Sequence, residues 1–496
     1  MEKRKGAILG YVYTALQAVV AIMYIPILLN NVGAAEYGLY QMLGSFVAYL
    51  STMELPLSAS IIRYYSKYKE NCDSIKMENT LALGQRIFYA ISVVFVITIF
   101  PIITIINTAY SDSLSNYERH EAIVMIIFMV INLIINMISY VYIAAITANE
   151  RFVFLKIVNI VSLLIQPVAV LCFLFYFPYA LTIVIIQLVI NIVLFFVRKY
   201  YALNVLKCIV KYHGFDKQLI KNLLSLSTAV LVVVIADQIF WRTDQLIIGA
   251  YYGTEQVAVY SIGAQFNSIF ISVGGVLSAM LIPVITRISQ TNDKEKMALF
   301  FRKIGRFQSF LLSFFVCGVI LFGKEFIFLI AGEGYELSYT IALLLMVPYS
   351  IGLIQNSAIY ILQIYDKYYY RAYVMISIAI INIILTLFFI SKWGIVGAAL
   401  STTIVLLFGD GIIMNILYSI KFNLKILSFF ISVLPIWTVA CMSLLGGMCI
   451  NMIVIDNLYL QLFVHVIIYS ILFFILQYYI CAKDDEKSIL KSIICK

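Results

Sequence analysis

Residues 7–29 read AILGYVYTALQAVVAIMYIPILL, an apolar run without a single charge, and the turn sequence Asn30-Asn31-Val32-Gly33 follows directly. As a helix, a run of this length crosses about 30 Å of hydrocarbon. It is too long for the apolar core of a cleaved signal peptide. The stretch therefore predicts a first, retained membrane span.

Similar runs continue through all 496 residues, of which 63% are hydrophobic and only 12% charged. Soluble domains carry about 25% charged residues, so a soluble protein is excluded, and a disordered one is excluded by the amount of apolar surface. We predict an all-α polytopic membrane protein with about fourteen transmembrane helices. The predicted spans are residues 7–29, 38–62, 83–107, 122–147, 156–177, 180–197, 223–249, 256–286, 307–330, 338–364, 372–391, 395–419, 426–447 and 459–481.

The positive charges set the orientation of these spans. With the N-terminus inside, 30 of the 34 Lys and Arg residues fall in the inner segments or in the C-terminal tail. Cytoplasmic segments of membrane proteins carry this excess of positive charge. We therefore expect a multi-pass membrane protein with both termini in the cytoplasm. The basic inner face is expected to set this topology rather than to bind anionic lipid headgroups.

An internal repeat appears at an offset of 220, where 8 of 36 positions match between residues 27–62 and residues 247–282. Gly33 matches Gly253, and Tyr40 matches Tyr260. At an offset of 216, Glu150-Arg151-Phe152 parallels Asp366-Lys367-Tyr368. These matches predict two parallel six-helix repeats plus two C-terminal helices. The expected divisions are residues 1–221, 222–421 and 422–496. Transporters built from such repeats bind cargo near the midplane and rock one half against the other.

Five charged residues interrupt the apolar runs, and each costs about 2.5–3.5 kcal/mol at a helix centre. They should therefore face an interior or form pairs, and they are the candidate substrate- or ion-binding residues: Asp237, Arg242, Glu54, Asp410 and Asp244. Sequence spacing prevents Arg242 from sharing a helix face with either aspartate of its own span. Pro56, two residues after Glu54, is expected to break span two. For each of the five, a structural ion pair or hydrogen bond is the alternative to a functional role.

Three stretches carry a resemblance to a known family. They are Asn30-Asn31-Val32-Gly33-Ala34-Ala35-Glu36-Tyr37-Gly38-Leu39-Tyr40, then Thr243-Asp244-Gln245-Leu246-Ile247-Ile248-Gly249 with Gly253 and Tyr260, and Trp393-Gly394-Ile395-Val396-Gly397-Ala398-Ala399. In order and spacing they resemble the polysaccharide transporters, Wzx-type O-antigen and capsule flippases, of the multidrug/oligosaccharidyl-lipid/polysaccharide (MOP) exporter superfamily. The resemblance covers nearly the whole chain.

The resemblance implies a flippase that moves undecaprenyl-pyrophosphate-linked oligosaccharide from the inner to the outer leaflet by alternating access. It implies no enzymatic activity and no cofactor, with Na⁺ or H⁺ as candidate coupling ions. The partners would be the polyprenyl-pyrophosphate-linked oligosaccharide, membrane lipids and other polysaccharide-assembly membrane proteins, with no nucleic acid. Lipid II flippases of the superfamily carry cavity arginines in their first spans. Here the first lobe offers only Arg63 and Arg86, at inner helix ends, which argues against lipid II as cargo.

Two other functions fit the sequence less well. An ion-coupled small-molecule exporter would use Glu54, Asp237 and Asp410, but span one carries no acid. A membrane oligosaccharide polymerase or glycosyltransferase generally has a large outer loop, and the longest outer segment here is residues 108–121. Gly318 and Gly323-Lys324 resemble the start of a phosphate-binding loop, but Glu325 stands where Ser or Thr should bind magnesium. His465 is interpreted as an interface residue.

Overall fold

The computed structural model describes residues 2–483 and residue 487, except residues 53, 281, 291, 292, 366, 423, 454 and 455. Within these residues every regular element is helical, which confirms the predicted all-α fold. The helices are α1 (Glu2–Ser51), α2 (Glu54–Glu70), α3 (Ser74–Thr108), α4 (Asn116–Ala148), α5 (Phe152–Leu174), α6 (Ala180–Tyr200), α7 (Lys217–Met280), α8 (Ile282–Gln290), α9 (Lys294–Ala331), α10 (Glu336–Ile354), α11 (Asn356–Ile364), α12 (Tyr369–Phe408), α13 (Met414–Phe422), α14 (Ile426–Ile450) and α15 (Leu458–Leu476). Single-turn π-helical segments follow α6, α12 and α15, at Tyr201–Val205, Gly409–Ile413 and Gln477–Cys481.

Three of these helices turn sharply at a glycine. The backbone leaves helical geometry at Gly33 in α1 (φ 82°, ψ 173°), at Gly253 in α7 (φ 78°, ψ −177°) and at Gly394 in α12 (φ 58°, ψ −142°). A residue with a Cβ is strained at a positive φ of this kind, whereas glycine adopts it readily. Each glycine lies in a predicted outer turn, so α1, α7 and α12 each contain two predicted spans joined without a loop.

Eleven helices in the described part of the chain are long and apolar enough to cross a membrane. Three of them extend through Gly33, Gly253 or Gly394, and dividing each at its glycine gives fourteen segments. These segments correspond to the fourteen spans expected from hydropathy. The number of spans that cross a bilayer stays a prediction.

The internal repeat extends further than the sequence comparison indicates. Asp73 caps the start of α3, where its Oδ1 accepts from the backbone N–H of Lys76 at 3.1 Å. Asp293, which follows at the same offset of 220, caps α9 and accepts from Lys296 N at 3.0 Å. Each aspartate also pairs with the ammonium group of the same lysine, at 3.2 and 3.3 Å. The backbone hydrogen bond lowers the pKa of both aspartates. The same cap therefore begins the third span of each repeat.

The chain forms two compact units, residues 1–258 and residues 259–496. The first unit contains the first six spans and the first part of α7, through the turn at Gly253. This boundary lies well beyond the end of the predicted lobe 1–221, because the first part of α7 packs with the first unit. The boundary between compact units does not test where the sequence repeats begin and end. The division into residues 1–221, 222–421 and 422–496 therefore stays a prediction.

The two C-terminal helices pack on α9 within the second unit. The ring of Tyr469 on α15 stacks on Phe314, with 5.5 Å between ring centroids, and its hydroxyl donates to the Phe314 carbonyl at 3.0 Å. Near the predicted inner side, the guanidinium of Arg306 donates to the backbone carbonyls of Ser432 and Cys481. Aromatic packing and this buried cation together attach α14 and α15 to the unit.

Two spans differ in shape from the sequence expectation, and one agrees with it. Span two breaks between Ser51 and Glu54, as Pro56 predicts, because a proline fits the first turn of a helix but not its interior. Span ten is divided at Gln355 into α10 and α11. Hydropathy predicts that span six ends at residue 197, but the helix continues through the π-helical segment to Val205.

Candidate transport site

The charged residues of span seven lie on the straight part of α7 before Gly253. Asp237 and Arg242 are half-buried, and Asp244 is only 2% exposed. Successive residues of a helix are about 100° apart, so Arg242 points away from both aspartates. Among the described side chains, none forms a hydrogen bond or an ion pair with Arg242. It interacts electrostatically with Tyr49 of α1.

Asp244 belongs to a polar seam that joins α7 to the second half of α1 within the first unit. The hydroxyl groups of Tyr49 and Thr243 lie 2.6 Å apart and share a hydrogen bond. Ser45 donates to the side-chain oxygen of Gln245. Since both sequence neighbours of Asp244 hydrogen-bond across the seam and Asp244 is buried beside them, a structural role explains its position. Its role in binding stays a prediction.

A close backbone approach continues this seam toward the predicted outer side. A Cβ built on Gly38 would clash with the carbonyl oxygen of Thr254, so only glycine allows the contact. The hydroxyl of Tyr110 on the α3–α4 connection donates to the Leu246 carbonyl at 3.0 Å, and Thr254 Oγ1 donates to Glu118 Oε1 at 2.8 Å. Gly38, the motif glycine that follows the α1 turn, is therefore a packing residue, and hydrogen bonds from α1 and the α3–α4 connection attach to α7 next to Arg242.

Glu54 is the first residue of α2, directly after the break in span two. It is 8% exposed and hydrogen-bonds with Tyr140 of α4. Its Oε1 is buried and has no hydrogen-bond partner among the described residues. The positive end of the α2 dipole favours a carboxylate at this position. Glu54 is therefore a buried acid with unused hydrogen-bonding capacity.

Arg198 is a buried cation that sequence patterns do not reveal, and it corrects the expectation that Arg63 and Arg86 are the only candidate arginines of the first lobe. It is 8% exposed and donates to Ser139 Oγ at 3.2 Å and to Asn159 Oδ1 at 3.1 Å. In the sequence, Arg198 is the first cation of a basic inner segment. Because the helix continues to Val205, the residue lies about two turns inside the helix end instead.

Tyr140 connects these two buried charges electrostatically. It hydrogen-bonds with Glu54 and interacts with the charge of Arg198. We call Glu54, Tyr140 and Arg198, with Ser139 and Asn159, the Glu54–Arg198 cluster. It brings a buried acid, a phenol and a guanidinium into one region of the first unit. Such a set can bind a polar group or hold a proton.

Asp410 lies in the second unit, in the π-helical segment that follows α12. It is buried, and its Oδ1 lies 3.8 Å from Nη1 of Arg371, at the predicted inner end of span eleven. A Cβ built on Gly352 would lie 2.9 Å from Asp410 Oδ2, so α10 also approaches closely. The structural alternative, an ion pair between helices, accounts for this arrangement. A binding role for Asp410 stays a prediction.

The phosphate-loop-like stretch Gly318–Lys324 lies entirely within α9. A helix interior has its backbone N–H groups engaged in i→i−4 bonds, so they cannot cradle a phosphate. The rejection of a nucleotide site made from the sequence therefore agrees with the structure at this stretch.

Comparison with known proteins adds relatives of two kinds. A Shigella flexneri protein provisionally named an O-antigen transporter is 22% identical over 420 residues, covering 82% of this chain and 95% of the relative. The solved lipid II flippase MurJ, in an inward closed conformation, superimposes with a TM-score of 0.70 at 16% identity, covering 99% of this chain and all of that one. An inward-facing multidrug resistance MATE transporter of the MOP superfamily gives a TM-score of 0.62 at 12% identity, covering 84% and 95% of the two chains.

At such identities the solved structures show the fold alone, and the fold is that of the MOP superfamily. The sequence model of the family described as polysaccharide biosynthesis protein matches residues 4–289, more than half of the chain. The matched region contains the glycine turns of spans one and seven and the seam that packs them. On this match, the chain is a multi-pass membrane protein that belongs to the polysaccharide biosynthesis protein family.

Proposed function

We propose that this protein moves a polyprenyl-pyrophosphate-linked oligosaccharide from the inner to the outer leaflet of the bacterial cytoplasmic membrane, for O-antigen, capsule or exopolysaccharide synthesis. The family match, the relative named for O-antigen transport and the fold shared with a lipid II flippase support this proposal. The mechanism is alternating access, without covalent change to the cargo and without nucleotide.

The physical problem is the polar headgroup of the cargo. A buried hydroxyl without a hydrogen-bond partner costs about 2 kcal/mol or more, and a headgroup carries many of them beside a charged pyrophosphate. A carrier must therefore offer polar and cationic groups within the membrane. It needs no hydrolytic site for this task.

Arg242 is the observation that carries the proposal. It is a half-buried cation inside predicted span seven, nearer the outer end than the centre, and no described side chain forms an ion pair with it. An intramembrane cation without a protein partner is suited to an anionic ligand, and guanidinium binds phosphate oxygens in a bidentate geometry. In our proposal Arg242 binds the pyrophosphate or an acidic sugar of the cargo.

The other buried charges take supporting roles. Asp237, about one and a half turns from Arg242, either tunes the cation or carries a coupling ion, Na⁺ or H⁺. Glu54, with its unused Oε1, and Arg198 supply a second polar surface in the first unit. Asp244 supports the packing of the helix that carries Arg242, and Asp410 pairs with Arg371 within the second unit.

An ion-coupled small-molecule exporter is the alternative, because a multidrug transporter shares the fold. That function would use Glu54, Asp237 and Asp410 as acids and leave Arg242 without a role. The family match and the O-antigen relative favour the flippase.

The decisive experiment uses purified full-length protein in vesicles that hold lipid-linked oligosaccharide in the inner leaflet, with no nucleotide. We expect headgroups to appear in the outer leaflet, chemically unchanged and faster than in protein-free vesicles. Longer glycans on the lipid would identify a polymerase. Failure of headgroup transfer, together with gradient-dependent efflux of a small organic cation, would establish the exporter instead.

The proposed topology has both termini in the cytoplasm. Single cysteines introduced at positions 115 and 213 of a cysteine-free chain should react with an impermeant reagent from opposite sides, 115 from outside and 213 from inside. Labelling of residue 213 from outside would contradict the topology.

A further inference from the structure

Two glutamates of the first unit meet at the start of α6, and the transport proposal uses neither of them. Glu36 follows the glycine turn of α1, and Glu121 lies in the second turn of α4. Both belong to predicted outer segments rather than to predicted spans, and α6 begins at Ala180, directly after a third outer segment. The pair therefore lies where three outer connections of the first unit converge.

The N-terminus of α6 attracts both carboxyl groups. Its N-cap residue, Tyr179, makes no side-chain cap, so the first backbone N–H groups need acceptors from elsewhere. The N–H of Ala180 donates to Glu36 Oε2 at 2.8 Å. The N–H of Leu181 interacts with the charge of Glu121. The positive end of a helix dipole amounts to about half a unit charge, which offsets part of one carboxylate charge but not two.

The two carboxyl groups are in hydrogen-bonding contact with each other. Glu121 is only 8% exposed, and its Oε2 is buried and accepts no hydrogen bond from any described residue. An ionised carboxyl group has no hydrogen to donate, so two carboxylates cannot form such a hydrogen bond. One proton on the pair supplies the donor and removes one of the two negative charges.

The surroundings of the pair offer no counter-charge. Among the described residues, no cation forms an ion pair with either glutamate. Arg119, the only Lys or Arg in the predicted outer segments of the first lobe, donates to Asn116 instead. The other titratable groups at the pair are the phenols of Tyr117 on α4 and Tyr179 before α6. His120, next to Glu121 in the sequence, is exposed.

This environment favours the protonated form of the pair. Burial and the contact with Glu36 raise the pKa of Glu121 well above the ordinary Glu value of about 4.3. Two carboxyl groups in contact lose their protons in separate steps, since the second charge must form beside the first. The folded pair therefore holds one proton at pH values where an exposed acid is ionised.

We propose that Glu36 and Glu121 form a binding site for one proton on the predicted outer side, and that this proton joins the turn of α1 to the outer ends of α4 and α6. When the proton leaves, two negative charges remain in contact and repel each other. The attachment of the three helix ends is then weakened, so the stability of the first unit depends on external pH. The site does not rest on the proposed transport function, because proton binding is measured without cargo.

The first test is the thermal unfolding midpoint of the purified full-length protein as pH is raised from mildly acidic to alkaline values. A raised folded pKa stabilises the protein fully below the unfolded pKa, and this stabilisation is lost as pH rises through the folded value. We therefore expect the midpoint to fall. Glu121→Gln should remove most of the fall, because a neutral amide donates to Glu36 at every pH.

Two control variants separate the pair from its surroundings. Glu255→Gln makes the same change at an exposed acid of a predicted outer turn in the first unit. His120→Gln removes the imidazole beside Glu121, and imidazole is the other common group that changes charge near neutral pH. Both variants should keep the fall of the midpoint that the unchanged protein shows.

Infrared spectroscopy supplies a second arm, because a protonated carboxyl group has a C=O stretching band that a carboxylate lacks. Glu36→Gln, which keeps an oxygen acceptor for Ala180, should lose the same band as Glu121→Gln. The double variant should lose no more than either single variant, since the pair holds one proton. This arm also decides the question if Glu121→Gln fails to fold.

The proposal is overturned if Glu121→Gln follows pH as the unchanged protein does, or if His120→Gln removes the fall of the midpoint. It is also overturned if the double variant loses twice the band of a single one, which would mean two protonated acids. No loss of band in either single variant would mean two ionised groups bridged by water, or by a metal cation if the midpoint then rises with added Na⁺ or Ca²⁺.

Discussion

The two repeats use the same residues to turn and cap their helices but different residues where charge is buried. Gly33 and Gly253 share φ and ψ within about 10°. Asp73 and Asp293 form the same cap with a lysine three residues later. Both repeats therefore keep the glycine turn and the aspartate cap.

The buried charges have no counterparts. At the repeat offsets of 220 and 216, the pairs are Arg242 with Ile22, Glu54 with Gly274, Arg198 with Met414, and Asp410 with Leu194. The comparison teaches that the residues that shape the turns and caps are kept between the repeats independently of the buried charges.

The largest effect is expected from removing the unmatched cation. Arg242→Ala should lower headgroup transfer in vesicles by about 100-fold, from the loss of roughly 3 kcal/mol of charge-assisted binding. The control is Ile22→Ala, the same truncation at the repeat-related position, which should leave transfer close to that of the unchanged protein. Equal losses in both variants would mean that the asymmetry of charge has no functional meaning.

Replacing two glycines of the first repeat by the alanines of the second should test the close packing of the seam between α1 and α7. Alanine stands at 258 and 264, where the first repeat has Gly38 and Gly44. Gly38→Ala should cost about 3 kcal/mol because the new Cβ meets the Thr254 backbone. Gly44→Ala, with no atom within 4 Å of the new Cβ, should be neutral or slightly stabilising. Unfolding of the purified variants in detergent measures both, and similar values for the two would contradict the close approach.

The turn glycines should both be sensitive to substitution. Gly33→Ala and Gly253→Ala each force a side chain into a positive-φ conformation that costs about 2 kcal/mol. Both unfolding midpoints should fall, and that of Gly253→Ala should fall somewhat more, because its new Cβ lies 3.2 Å from the Ser113 carbonyl oxygen whereas the Cβ at position 33 meets no atom within 4 Å. A loss at only one glycine would show that the turns are equivalent in shape but not in strain.

The smallest expected effect is that of the paired caps. Asp73→Ala and Asp293→Ala should each lower the unfolding midpoint slightly near neutral pH. Because the folded pKa of each aspartate is lowered, the cap stabilises above the ordinary Asp pKa of about 3.9 and is lost as pH falls through the lowered value. The difference between the unchanged protein and either variant should therefore vanish in strong acid. A difference that persists there would exclude the charged cap as its cause.

Hydropathy and charge placement predict most of the fold because the bilayer imposes helix length and orientation directly. The break before Pro56 and the glycine turns are predictable for the same reason, since single residues with restricted or unusual backbone preferences cause them. The cap pair Asp73 and Asp293 escapes detection in the sequence because it follows a segment with few identical residues. The pair becomes visible when the two repeats are aligned at their shared glycine turn.

The site is less accessible from sequence. Arg198 resembles part of an inner segment because its neighbours are basic, and only the π-helical extension to Val205 shows that it lies inside the helix. The orientation of the Asn451 amide likewise depends on a contact with Leu321, which is 130 residues away in sequence. Long-range contacts of this kind leave no periodic signal.

The turn glycine and the capping aspartate are also separated by the same number of residues in both repeats. The interval along the chain from Gly33 to Asp73 equals the interval from Gly253 to Asp293. A residue inserted between such markers would rotate every following side chain by about 100° and advance it by about 1.5 Å until the next break. Seam residues such as Ser45 and Tyr49 would then turn away from their partners on α7. Insertions and deletions in these two segments should therefore be far more damaging than substitutions. The shared interval can then be used to check the register when distant relatives are aligned.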